Sequence, residues 1–191
     1  QGRIQLTEGL QSSKDIARII FNRLLTLGAI PRTIDGMIPY GCMSNIRLYR
    51  YSTGDSFGKH IDESHFCLIE KVPCTSQFTC LIYLNGNEIN DDSNAESDEQ
   101  GLPGLYGGAL AFYQSHSAKE SCQIFAPKVG LCIVHRHGHM CRTHESQPIL
   151  NGVKYVLRTD VVYTADDCGG GGNRRTAAGS GGTVGSKKKQ K

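Results

Sequence analysis

At 191 residues and 38% hydrophobic content, the chain can bury one good core, so one catalytic or binding domain is expected rather than two. Its 21 basic and 18 acidic residues nearly balance, and the total charge therefore implies no polyanionic partner. There is no run of 18 or more apolar residues and no signal-like start, so no membrane span is expected.

In chain order, Ser12, Ser13, Lys14 and Asp15 precede an apolar rhythm at Ile16, Ile19, Ile20, Leu24 and Leu27, which Gly28 and Pro31 then stop. This spacing predicts an amphipathic helix over 12–28, with a hydroxyl N-cap and Asp15 in its first turn, packed against the outside of a sheet. From residue 46 the pattern changes to short β-type runs bounded by Gly, Pro, Asn and Ser, at 46–52, 77–84, 107–113, 121–126, 130–135 and 153–163. With short extended pieces around His60 and His144 they make about eight strands, the pattern of a sandwich or double-sheet jelly roll.

Residues 85–106 interrupt the strands with Glu88, Asp91, Asp92, Glu96, Asp98 and Glu99 and no basic residue. A stretch of this length and composition is read as a disordered or functional acidic loop insertion. Residues 164–191 carry Arg174, Arg175, Lys187, Lys188, Lys189 and Lys191 against Asp166 and Asp167, a net of +4 that leaves about −1 for the rest. Eight glycines and few large apolar side chains mark this Gly-rich basic tail as disordered. Its basic end suits nucleic acid, a lipid surface or an import receptor, but a plain solvated tail is the preferred reading. The eight cysteines form no CxxC pair and no compact framework, and several sit in apolar runs as Cys80 does, so a reducing, intracellular compartment is favoured.

The candidate chemistry begins at His60-Ile61-Asp62. In an extended backbone residues i and i+2 point the same way, so an imidazole and a carboxylate here reach one ion. Such a tripeptide is weak evidence by itself. Downstream, His144 is followed ten residues later by Lys154 on a β-type run in which Lys154, Val156, Arg158 and Asp160 share a face. A cationic stripe near a metal would clamp an anion, whereas away from one it would be a solvated strand face. Between these segments His135, His137 and His139 with Cys141 recur at period 2, a set that could bind zinc or compete for iron. They are expected to form a turn at the mouth of the site, and His65 and His116 to lie on the surface.

Six short motifs occur in order. They are Tyr49-Arg50-Tyr51-x-x-Gly54-Asp55-x-Phe57-x-x-His60-x-Asp62, Tyr83-Leu84-Asn85, Gly107-Gly108-x-Leu110, Pro127-Lys128-x-Gly130, His144-Glu145-x-x-Pro148 and Gly152-x-Lys154 through Val161. Together, over residues 46–163, they resemble the iron(II)/2-oxoglutarate-dependent dioxygenases, and most closely the prolyl 4-hydroxylase catalytic-domain group. The resemblance implies a mainly β fold with flanking α, a double-stranded β-helix or jelly roll over 1–163. It implies His60, Asp62 and His144 as a facial triad for Fe(II), which leaves positions open for 2-oxoglutarate and O2. It further implies Lys154 on the distal carboxylate of 2-oxoglutarate with Arg158 assisting, a tyrosine hydrogen bond from Tyr83, and Tyr51 lining the pocket. For Tyr83 and Tyr51 a purely structural role stays open, and for Tyr49 it is preferred.

The implied reaction hydroxylates a C–H of a protein or peptide substrate such as a prolyl residue and releases succinate and CO2, with ascorbate as a candidate further cofactor. A non-catalytic metal-binding module and a nucleic-acid-directed member of the same fold are the alternatives.

Overall fold

The computed structural model of the chain describes residues 2–5, 11–86 and 104–166. Most of the acidic stretch (87–103) and of the basic tail (167–191) lies outside the described residues.

Helix α1 spans Gln11–Thr26. It therefore begins before Ser12 and Ser13, and Asp15 falls past the first turn, where it pairs with Arg18 at 3.0 Å; the expected hydroxyl cap is not the start of this helix. The stop is as expected: Gly28 adopts φ 63°, the Ala29 N–H donates to the Leu24 carbonyl at 2.9 Å, and the Gly28 N–H donates to the Leu25 carbonyl at 3.1 Å. This is the reverse-turn closure that favours glycine, because a Cβ is strained at positive φ. The apolar face buries Ala17, Ile20 and Leu24 against Phe78, Cys80, Val161 and Tyr163 of the sheet beneath and against Ile46, just before the strand Arg47–Ser52. Fully burying one such leucine is worth about 1.5–3 kcal/mol, enough to hold a helix too short to be stable alone.

Strands β1 (Gly2–Gln5), β2 (Met37–Cys42), β3 (Arg47–Ser52), β5 (Phe66–Ile69), β6 (Val72–Tyr83), β10 (Cys132–Arg136) and β13 (Val153–Ala165) form the larger sheet. Its spine is the antiparallel pair β6 and β13, matched from Val156 against Tyr83 to Tyr163 against Thr75. A second sheet has the order β4 (Phe57–His60), β11 (His144–Ser146), β8 (Leu110–Phe112), β9 (Gln123–Phe125). A small pair, β7 (Tyr106–Gly107) and β12 (Ile149–Asn151), closes one end. Every pairing is antiparallel, and Tyr83, Ile133 and Val156 of the larger sheet pack against Leu110 and Phe112 of the smaller. The result is a double-stranded β-helix carrying α1 on its outer face.

Four strands, β1, β2, β5 and β12, go beyond the sequence expectation, and β6 begins five residues earlier than expected. The β5–β6 hairpin turns at Glu70 and Lys71, with φ 51° and 71°. That is the backbone of a tight hairpin turn, but neither residue is the Asn or Gly that usually announces one. Among the described residues every cysteine is free, and Cys80 is fully buried in the core as an apolar side chain. No helix among them is long and apolar enough to cross a membrane.

Candidate active site

The two sheets face each other across a cavity of about 120 Å³, and the strand register decides what lines it. His60 ends β4 and stands directly opposite His144 on β11, which sets the two rings 4.2 Å apart. Each ring is oriented by its own backbone. The Nδ1–H of His60 donates to the Gly58 carbonyl at 2.8 Å, and that of His144 donates to the Arg142 carbonyl at 2.9 Å. With the proton on Nδ1, each Nε2 keeps its lone pair for the cavity, the tautomer a metal ligand needs. Burial lowers the basicity of His144, which favours the neutral, ligating form.

Asp62, two residues past His60, completes the group, with Oδ1 3.7 Å from His60 Nε2 and Oδ2 3.9 Å from His144 Nε2. Burial alone would raise its carboxyl. The Arg158 guanidinium, 3.2 Å from Oδ2, and the Thr79 hydroxyl, which donates to Oδ2 at 2.5 Å, outweigh burial and hold it at about 2. Potential ligand atoms of His60, Asp62 and His144 all lie within 4.8 Å of one another. Two imidazoles and one ionised carboxylate on one side of a cavity are a donor set suited to iron(II), so these residues fit the metal that the sequence resemblance implies.

Behind Asp62 runs a buried polar chain. The Thr79 O–H is engaged as the donor to Asp62, so its oxygen accepts from His137 Nε2 at 2.7 Å; His137 Nδ1 then accepts from the Ser76 hydroxyl at 3.1 Å. Every link has a partner, which fixes the His137 tautomer and the rotation of the carboxylate. His135 and His137, expected in a turn at the mouth of the site, stand elsewhere. His135 sits on β10, matched with Thr79 of β6, and both His135 and His137 are buried. Only Gly138–Met140 forms a turn, with His139 exposed on it. His65 and His116 are on the surface, as expected.

At the other end of the cavity Lys154 is 2% exposed. Its ammonium donates to the Gly108 carbonyl at 2.7 Å and the Ser146 hydroxyl at 2.5 Å, and lies 4.5 Å from the centre of the Tyr51 ring. Burial without a carboxylate partner lowers it to about 8. Tyr51 and Tyr83 line the same cavity, and burial pushes the Tyr83 phenol well up, so it remains a neutral hydroxyl. Lys154, Val156 and Arg158 do share one face of β13, as period 2 requires. They serve different ends of the cavity: Arg158 is held by Asp62 and, at 3.3 Å, by Asp160, whereas Lys154 sits beside the tyrosines.

Thr79 and Ser146 also line the cavity and are not among the residues expected there. A signal existed for Thr79, since Thr79, Leu81 and Tyr83 alternate along one face of β6 and all three line the cavity.

The antiparallel double-stranded β-helix, with its ligand set between the two sheets, defines the fold class. No family model and no curated protein matches this chain. Among solved structures the fold is that of the viral collagen prolyl hydroxylase of Paramecium bursaria Chlorella virus-1. A 2OG complex of that enzyme superposes with a TM-score of 0.51 and 16% sequence identity over 85% of this chain and 77% of the viral one. A truncated form of the same enzyme gives 0.51 and 17% over 85% and 75%.

Proposed function

We propose that this chain is an iron(II)- and 2-oxoglutarate-dependent dioxygenase that hydroxylates a C–H bond of a protein or peptide substrate, a prolyl residue being the first candidate. The observation that carries the reading is the convergence on one cavity of two Nε2 lone pairs, an ionised carboxylate and, at the far end, a buried lysine with no anionic partner among the described residues. His60, Asp62 and His144 would hold the iron. When bound, the iron supplies oxygen activation coupled to decarboxylation of 2-oxoglutarate to succinate and CO2.

The chain's own residues do the rest. Lys154 receives the distal carboxylate of the cosubstrate, already aimed by Gly108 and Ser146, so little ordering remains at binding. Tyr83 offers a hydroxyl to the same carboxylate, and the Tyr51 ring limits how the ammonium can swing. Arg158 neutralises Asp62 on the side away from His60, leaving Oδ1 beside the imidazole. Leu81, Leu110 and Val156 make the cavity wall apolar, which excludes water and strengthens each charged contact. At the rim Phe57 packs on the His60 ring at 4.3 Å, and Phe57 and Ile61 are 42% and 44% exposed. They offer a substrate an apolar landing next to the iron position.

Succinate formation tests the reading. Protein prepared without oxygen, then given Fe(II), 2-oxoglutarate, ascorbate and air, should form succinate above the rate of His60→Ala, and proline-rich peptides should stimulate it. Succinate that never exceeds the His60→Ala background, with any peptide, would remove the enzyme reading and leave a metal-binding module.

A further inference from the structure

We propose that His135, Cys141 and His144 form a second cation site, selective for a thiophilic ion such as zinc, that shares His144 with the triad and so cannot be filled together with it. The two sites use opposite nitrogens of one ring. The exclusion rests on the iron assignment above, but the zinc site does not.

The turn Gly138–Met140 folds back beneath Asp62: the Gly138 N–H donates to the Asp62 carbonyl at 2.8 Å, and the Cys141 N–H donates to the Gly138 carbonyl at 2.9 Å. This delivers Cys141 Sγ to 4.0 Å from His135 Nδ1 and 3.9 Å from His144 Nδ1, and one ligand atom from each of the three residues lies within 4.8 Å of the others. In a tetrahedral zinc site, with zinc–sulfur near 2.3 Å and zinc–nitrogen near 2.0–2.1 Å, sulfur and nitrogen stand about 3.6 Å apart. The two sulfur–nitrogen separations need a contraction of only a few tenths of an ångström. Thiolate with two imidazoles selects a softer ion than two imidazoles with a carboxylate, and three protein ligands leave one position open.

His135 supplies the independent indication of a ligand. It is 8% exposed, lines the cavity, and its Nε2 has no hydrogen-bond partner. The nearest anion to that nitrogen is Asp62 Oδ2 at 3.7 Å. Ligation through Nδ1 would put the ring proton on Nε2, facing that carboxylate. An imidazole that ligates through one nitrogen and faces a carboxylate with the other is the usual way a metal-bound histidine is oriented.

The protons balance. The Cys141 S–H and the His144 Nδ1–H both point to the Arg142 carbonyl, at 3.5 and 2.9 Å. When zinc enters, the thiol proton leaves to solvent and the His144 proton moves from Nδ1 to Nε2, a net release of one proton per ion. A protonated Nε2 has no lone pair for the triad, and a protonated Nδ1 has none for zinc. Iron and zinc therefore compete for one tautomer.

Cobalt(II) reports zinc ligation by its spectrum. The full chain titrated with Co(II) should develop a thiolate-to-cobalt charge-transfer band that stoichiometric zinc abolishes. Cys141→Ser keeps an acceptor for the Asp62 N–H that now bonds Sγ at 3.2 Å, and it should lose the band while melting at the same temperature. Losing even an outer partner costs a metal site about 10–100-fold, so zinc affinity should fall at least about tenfold in Cys141→Ser and in His135→Phe. Fe(II) bound anaerobically should be displaced by zinc one for one. A band that is absent from the wild type or survives in Cys141→Ser, or unchanged zinc affinity in both variants, would overturn the site. One zinc and one iron bound together would overturn the sharing. Failure of Fe(II) to bind while the band persists would count against the iron triad and in favour of the zinc site standing alone.

Discussion

The buried ammonium of Lys154 sets the sign of two pH effects. Burial lowers it to about 8 from 10.5, so between those values the unfolded chain holds a proton that the folded chain has lost. Stability contributed by this group therefore rises with pH across that window and is at its lowest below it. Affinity for 2-oxoglutarate runs the other way, because the clamp loses its charge as pH passes the folded value. Isothermal titration under anaerobic conditions should show 2-oxoglutarate binding several-fold weaker at about pH 9.5 than at about pH 7. Lys154→Ala should bind weakly at both and abolish the difference. A slope that persists in Lys154→Ala would assign the effect to another group. At the opposite end of the cavity, His137→Phe leaves the Thr79 oxygen and the Ser76 hydroxyl without their shared partner. An outer-shell loss of this kind lowers metal affinity about 10–100-fold. His137→Asn, which retains hydrogen-bonding groups, should recover part of it in a Co(II) titration, and equal loss in both variants would reduce His137 to a packing residue.

At the scale of elements, the Gly-Gly of β7–β8 explains itself only in the fold. Gly108 has φ 71°, and a Cβ there would stand 2.2 Å from Ile149 Cδ1 and 3.4 Å from Lys154 Nζ. Its carbonyl is one of the two acceptors that aim Lys154. Gly108→Ala should therefore cost about 1–3 kcal/mol from the backbone conformation alone, a melting decrease of several degrees, and should raise the KM for 2-oxoglutarate more than it lowers kcat. An unchanged KM with a lowered melting temperature would separate the packing role from the clamp. The same element level decides what could be read beforehand. His60, Asp62, His144 and Lys154 stand in local patterns, a period of two or a fixed spacing, and local patterns survive in a sequence. His135 opposite Thr79 depends on β10 pairing with β6, whose matched residues lie fifty or more positions apart. Nothing in the His135-Arg136-His137 segment states that partner. The β5–β6 hairpin was hidden for a different reason: Glu70 and Lys71 hold positive φ without a residue type that prefers it, so the pairing of Phe66–Ile69 with β6 carries the turn. Helix α1 was legible because its apolar spacing and Gly28 stop are both local, whereas its first turn was misplaced because serines and acids suit either a cap or a first turn.

For the whole molecule, the question is where the folded unit ends. The composition change places the boundary at residue 163, but β13 runs to Ala165 and its last residues are tied in. The Thr164 hydroxyl donates to the Pro73 carbonyl at 2.9 Å, Thr164 and Ala165 pair with Ile38 and Met37, and the Asp166 N–H donates to the Gly36 carbonyl at 3.1 Å. These contacts fasten β2 along the far half of β13, the half that also supports α1 through Val161 and Tyr163. Net hydrogen bonds are worth about 0.5–1.5 kcal/mol each, so removing this group should cost about 1–3 kcal/mol in total. At about 2–4 °C per kcal/mol for a chain of this size, a protein ending at residue 163 should melt measurably lower than one ending at residue 166. The chain ending at 166 should match the full chain in both melting temperature and succinate formation, since the basic residues beyond it contribute only screened surface charge to a domain that is close to neutral. Equal melting of the 163 and 166 forms would mean that β2 is held by its remaining pairing alone. Loss of turnover in the 166 form with unchanged melting would instead give the basic tail a part in binding substrate, a result that added salt should reproduce in the full chain.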